Sequence, residues 1–184
     1  MGGLIIDYGT AKGFNEKIRF ELLFNLGAYM TPQPAYMQTI GLETMAARYS
    51  KQADNALRLA KKLKEVPEIV SVNYVGLEDN PYYEISRRQF GDTAGAMLTF
   101  ELEDEAACKT FINSLKLVKR ATNLFDNKTL AIHPYSTIFG PFSKEKKKDM
   151  DVSESLIRIS VGLEDVDDIF EDIKQAAQKA KSNK

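Results

Sequence analysis

The chain holds one cysteine, one histidine and no excess of either charge, and each shortage removes a class of chemistry. A single thiol, Cys108, leaves no internal disulfide possible and fits a reducing compartment. It lies in an amphipathic stretch, residues 104–115, where a small buried apolar residue is expected rather than a reactive thiol. The lone histidine, His133, has no serine or cysteine nucleophile nearby and no metal-ligand spacing. It gives neither a triad nor a zinc centre, and its expected role is structural. With a net charge of −1, nothing advertises a nucleic-acid or anionic-membrane partner. No apolar run approaches the ~18 residues of a membrane helix, and the start of the chain has no basic flank or cleavage signal. A cytoplasmic protein is expected, with no membrane or nucleic-acid partner.

What is present suits one large or two small domains with a real core: 184 residues, 43% of them hydrophobic and 28% charged. Residues 2–8, GGLIIDY, read as a strand buried on both faces, of the kind found inside a parallel sheet. Helices are expected over 14–26, 34–40 and 42–64, with Thr31-Pro32 as an N-cap followed by proline, and Gly41 as a kink. Strands are expected at 69–75, 94–102, 117–123, 129–133 and 156–161. Helices are expected at 80–89, 104–115 and 165–181, the last with acids in its first turn and lysines in its last. Residues 140–152 read as a polar loop. The pattern predicts an α+β fold, a small, mostly antiparallel sheet with helices packed on one side.

Most of the chemistry-bearing groups have an ordinary explanation. The run Lys144-Glu145-Lys146-Lys147-Lys148 lacks interleaved aromatics and reads as a solvated loop. Lys12 sits in Gly9-Thr10-Ala11-Lys12-Gly13, among polar neighbours rather than in the apolar pocket that a Schiff-base lysine needs. The sequon Asn127-Lys128-Thr129 carries no weight in a cytoplasmic chain. Arg158 is different. It interrupts the apolar run of SLIRISVGLED, residues 155–165, and a buried guanidinium needs a planar anion. That anion is either a bound carboxylate or phosphate, or a structural partner acid. If the strands ending at Asn123 and containing Arg158 were neighbours, an amide and a guanidinium could converge on one carboxylate.

Three blocks in colinear order resemble the C-terminal part of the PLP-dependent enzymes of cysteine and methionine metabolism, the trans-sulfuration family. They are NLGAYMTPQPAYMQTIGLETMAARYSKQADNA (25–56), VNYVGLEDNPYYE with GAMLTFEL (72–102), and ATNLFDNKTLAIHPYST followed by SLIRISVGLED (121–165). The nearest branch is the O-acetylhomoserine sulfhydrylases (aminocarboxypropyltransferases). The resemblance implies a two-part layout: residues 1–30 as a strand and helix from the end of the large cofactor-binding domain, and residues 31–184 as the C-terminal substrate-side domain of a fold-type I transferase. It implies that Arg158 grips the substrate α-carboxylate, assisted by Asn123 or a backbone amide beside it. In the complete enzyme pyridoxal 5′-phosphate would serve as electron sink, acetate would leave Cγ of an O-acetylhomoserine-like substrate, and a thiol or sulfide would add. A missing N-terminal cofactor domain and a homo-oligomer are the implied partners. The family's Schiff-base lysine lies upstream of the Gly-Gly strand, so this chain alone is expected to bind no cofactor and to be inactive. Family members usually carry glycine where Phe125 stands and Thr-His where Ile138-Phe139 stand, which leaves the substrate open. The competing reading is a self-contained α+β binding or oligomerisation module without catalysis.

Overall fold

Apolar residues meet opposite fates in the two compact units of the chain, Met1–Ala46 and Ala47–Lys184. The computed structural model describes residues 3–182. No described residue of the first unit is fully buried, and Leu4, Ile5, Ile6, Phe20 and Phe24 all lie mostly in solvent. The expected opening strand is absent over residues 3–8, and its Gly2 lies outside the described residues. A strand exists only where a neighbour completes its ladder of hydrogen bonds, and the described chain supplies none there. The expected helix over 14–26 appears as α1 (Phe14–Lys17) running into a π-helical stretch, Ile18–Phe24. Thr31 stands at the N-cap of α2 (Pro32–Glu43) with Pro32 at its first position, although the threonine side chain makes no cap bond. The helix runs through Gly41. The break falls at Thr44, so the predicted kink sits three residues too early.

The second unit is built on α3 (Met45–Leu63), which buries Ala53, Ala56, Leu59, Ala60 and Leu63. Five strands follow, each shorter than its apolar run suggests: β1 (Ser71–Asn73), β2 (Met97–Glu101), β3 (Lys119–Arg120), β4 (Leu130–Ile132) and β5 (Leu156–Ser160). They form one sheet in the order β1-β2-β5-β4-β3, antiparallel except for the β3–β4 pair. Between them come α4 (Tyr83–Phe90), α5 (Glu105–Ser114) and α6 (Lys144–Asp149), and α7 (Val166–Ser182) follows β5. The expected α+β architecture with a mostly antiparallel sheet is what the structure contains.

One face of the sheet makes the core. Leu98 and Phe100 on β2 and Ile157 and Ile159 on β5 alternate inward and are essentially inaccessible. They meet Cys108 and Phe111 of α5 and Ile169, Ile173 and Ala177 of α7, with Phe111 edge-on to Phe100 at 5.4 Å. Each large side chain buried this way contributes about 1.5–3 kcal/mol. Asp104 caps α5 by accepting from the Ala107 amide at 2.7 Å. Cys108 is fully buried, as expected, with its thiol against the Ser155 carbonyl at 3.1 Å.

Two predictions of character need correction. The polar loop over 140–152 contains α6, started by Ser143, whose hydroxyl accepts from the Lys146 amide at 3.3 Å. Its Lys147 is not solvated: it is buried, with its ammonium 4.0 Å from the centre of the Tyr135 ring. His133 is structural, as expected. Its Nε2 lies 2.8 Å from the Glu154 carbonyl, which can only accept, so Nε2 carries the proton; Nδ1 meets Ser136 Oγ at 2.8 Å.

Buried polar groups tie distant loops to this frame. Asp172 on α7 accepts from the amides of Lys116, Leu117 and Val118 at 2.8–3.1 Å, fixing the entry to β3. On α3, Asn55 donates to the carbonyls of Gly162 and Glu164 at 3.0 and 2.9 Å, and Gln52 donates to those of Asp126 and Val161 at 2.7 and 3.2 Å. Glu164 in turn accepts from the amide and hydroxyl of Thr129, each at 2.8 Å. Gly162 lies inside this bracket: a methyl group there would come within 2.5 Å of backbone atoms of both Lys128 and Thr129.

Gly162→Ala is therefore expected to lower stability by about 2 kcal/mol or more, read from the urea midpoint, because backbone must move to admit the methyl. Burial also pushes the Cys108 thiol and the Tyr74 phenol up to about 12 from 9.0 and 10.0. Below pH ~9 both groups are neutral in the folded and the unfolded chain and add no pH dependence. Between pH ~9 and ~12 the unfolded chain ionises first, so stability is expected to fall as pH rises through that window. The same burial leaves native Cys108 unreactive to Ellman's reagent at pH 8 until denaturant is added.

Candidate functional site

On β5 the side chains alternate, so Ile157 and Ile159 enter the core while Arg158 points to the opposite face of the sheet. Arg158 stands in register with Thr99 of β2 and Ile132 of β4, near the middle of the sheet. It is half-buried. Its Nη2 donates to the Thr122 carbonyl at 2.9 Å. Among the described residues no acid pairs with it, and loss of water alone draws its guanidinium below the ordinary arginine value. A guanidinium has five N–H donors in a rigid fork, and one carbonyl satisfies only one of them.

Asn123 follows Thr122, the residue whose carbonyl Arg158 holds, and its setting differs from the one its sequence suggested. The strand expected over 117–123 is only Lys119–Arg120, and β4 separates β3 from β5, so the two strands are not neighbours. The loop after β3 turns back across the open face of the sheet instead. It is held at Thr122 by Arg158 and at Phe125, whose amide donates to the buried Ser160 hydroxyl at 2.9 Å. Asn123 lies between these two attachments and is exposed. The loop's far end is fixed by Gln52 at the Asp126 carbonyl and by the Leu163 amide at the Asn127 carbonyl, 2.8 Å apart.

Phe125 adopts φ +54°, a left-handed conformation that costs a non-glycine residue about 1 kcal/mol. Its ring stacks on Tyr49 of α3, 6.2 Å between centroids, and Tyr49 donates to the Thr93 carbonyl at 3.3 Å. Ile138 is exposed and Phe139 packs on Phe142; among the described residues no hydrogen bond or ring contact joins either to Arg158. Lys12 is exposed in its loop. Sequence reasoning missed Ser160, Gln52, Asn55 and Glu164. Only the apolar company of Gln52 and Asn55 on the buried stripe of α3 could have pointed to any of them.

These residues belong to a recognisable lineage. The sequence profile of the Cys/Met metabolism PLP-dependent enzymes matches residues 1–178, and the chain belongs to that family. It is 39% identical over 181 residues to an L-methionine gamma-lyase of Fusobacterium nucleatum, covering 97% of this chain and 45% of that protein. It is 38% identical over 164 residues to O-acetyl-L-homoserine sulfhydrylase 1 of Thermus thermophilus, covering 89% of this chain and 39% of that protein. Among solved structures, a putative O-acetylhomoserine (thiol)-lyase from Campylobacter jejuni, determined with a pyridoxyl-lysine phosphate, superimposes with a TM-score of 0.85 at 34% identity. That match covers 92% of this chain and 40% of the other. The chain thus spans less than half the length of these relatives. The recognised family, its cofactor and its fold agree with the resemblance read from the three sequence blocks.

Proposed function

We propose that this member of the Cys/Met metabolism PLP-dependent enzymes is the substrate-side portion of an O-acetylhomoserine sulfhydrylase-like enzyme, and that Arg158 takes the substrate's α-carboxylate. The observation that carries the reading is the state of that guanidinium: half-buried, tied to a single backbone carbonyl and faced by no acid among the described residues. A partly desolvated fork of this kind gains more from an incoming planar carboxylate than an arginine in open water does. Asn123, next to the carbonyl that Arg158 already holds, would add its amide. With the carboxylate fixed, the substrate's Cα has one orientation relative to whatever removes its proton, and positioning of this kind lowers the barrier.

Pyridoxal phosphate supplies the electron sink in this family. A site for it needs an amine in a dry pocket and a set of phosphate donors. Among the described residues Lys12 is exposed and Lys147 is occupied by the Tyr135 ring, so these residues do not fit the cofactor. In this reading the chain contributes the grip on the substrate and turns over nothing alone. Residues 1–30 would belong to the large cofactor domain and 31–184 to the substrate domain, in a cytoplasmic homo-oligomer acting on an O-acetylhomoserine-like amino acid. The exposure of Leu4, Ile5, Ile6 and Phe20, which continues through Tyr36, Met37 and Leu42, supports a partner surface over this part of the chain, since apolar side chains in such density call for a cover. Among the described residues no helix is long and apolar enough to cross a membrane.

The test is a titration of the chain with L-norleucine, an unreactive α-amino acid, following the Arg158 guanidinium by 15N NMR. Arg158→Ala, which lacks that signal and is titrated by calorimetry beside the parent chain, is expected to weaken binding by about tenfold or more, the worth of a charge-assisted pair, with a nearly unchanged melting curve. Affinity untouched while the fold melts early would make Arg158 a structural residue instead.

A further inference from the structure

A phenylalanine stands where the backbone asks for glycine. Phe125 is held at φ +54° by the bond from its amide to Ser160, a bond that any residue other than proline could make there. Core packing does not explain the choice, because the side chain is 42% exposed. One face of the ring lies against Tyr49 at 26° between planes, and Tyr49 is itself tied down at Thr93. Gly95 borders the ring edge, where a methyl group built on it would meet Phe125 Cζ at an ordinary contact distance of 3.9 Å. The fold thus carries the strain of a left-handed aromatic residue and leaves half of it in water.

Its position supplies the reason. Ser160 and Arg158 lie on the same face of β5, two residues or about 7 Å apart along the strand. The Phe125 amide is fastened to the first and the Thr122 carbonyl to the second. The ring therefore rises from the loop at its Ser160 attachment, two strand residues along from the attachment that the guanidinium itself makes at Thr122. We infer that Phe125, backed by Tyr49, is an aromatic wall beside the carboxylate grip. It makes the site prefer carboxylates that carry an uncharged apolar or thioether group within a ring's breadth of the carboxyl. This rests on the reading that Arg158 binds a carboxylate. An aromatic face rewards a second ring or a polarisable sulfur by stacking and sulfur–ring contact, and gives a bare carboxylate nothing further.

The experiment uses the full chain, with the Arg158 Nε–H signal identified by its loss in Arg158→Lys. Acetate, phenylacetate and 3-(methylthio)propanoate are titrated separately. All three are expected to shift the signal, the latter two binding about fivefold more tightly than acetate. In Phe125→Gly, whose backbone suits φ +54°, the three affinities are expected to converge to within about twofold. Should that variant fail to fold, Phe125→Leu keeps apolar bulk without a ring, and loss of the phenylacetate preference there supports the wall equally. Equal affinities in the parent chain overturn the proposal, as does a preference that survives in a folded Phe125 variant. If acetate leaves the Arg158 signal unmoved, the carboxylate reading itself has failed and the wall falls with it.

Discussion

Everything at the candidate site depends on the two-residue alternation of one central strand. β5 has β2 on one side and β4 on the other, so its backbone is fixed along both edges. Ile157 and Ile159 are committed to the core, and a slip by one residue would bury Arg158 there. The packing of the isoleucines under α5 and α7 is therefore what aims the guanidinium outward. Arg158 and Ser160 then hold the loop that carries Asn123. The strand organises the core with one set of side chains and the site with the other.

A second layer of constraint is polar. Glycine at 162 lets the chain leave β5 against the Lys128–Thr129 backbone, and Glu164 closes over Thr129. Gln52 and Asn55 reach out of a helix stripe that is otherwise apolar, to satisfy carbonyls that would be left without water. Three of those carbonyls, of Val161, Gly162 and Glu164, belong to the same SLIRISVGLED segment as Arg158. Gly162 and Glu164 serve as a brace, and the arginine is the member of the motif that meets only one backbone carbonyl and no acid among the described residues.

Strands β2 and β5 and the helical stripes of α3 and α7 were legible in the sequence, because each is a local pattern, whereas Arg158 read as buried in an apolar run and in fact faces away from the core. Buried Asp172 was not legible, since its worth comes from three amides more than fifty residues away in the chain. Lys147 looked solvated for the same reason: the ring that covers it belongs to Tyr135, on a separate turn. Residues 3–8 have the composition of a strand, but composition cannot provide the neighbour that makes one. Gly41 looked like the weak point of its helix, yet the helix tolerates it and breaks at Thr44. Asn123 lies in a loop that Arg158 holds at Thr122 rather than at the end of a neighbouring strand, an arrangement that strand reasoning had no means to foresee.

The strand order also sets a schedule for folding. β5 is the centre of the sheet but the last strand in the sequence, and its partners β2 and β4 share no pairing with each other. Met97 must wait for Ser160, and Leu130 waits for the same residue from the other side. Until the C-terminal stretch is made and inserted, β2 has only the short β1 beside it and β4 only two residues of β3. Contacts of such long sequence separation are slow to form, and the open edges persist meanwhile. Synthesis on a ribosome would thus leave most of this domain without its keystone until nearly the whole chain has emerged.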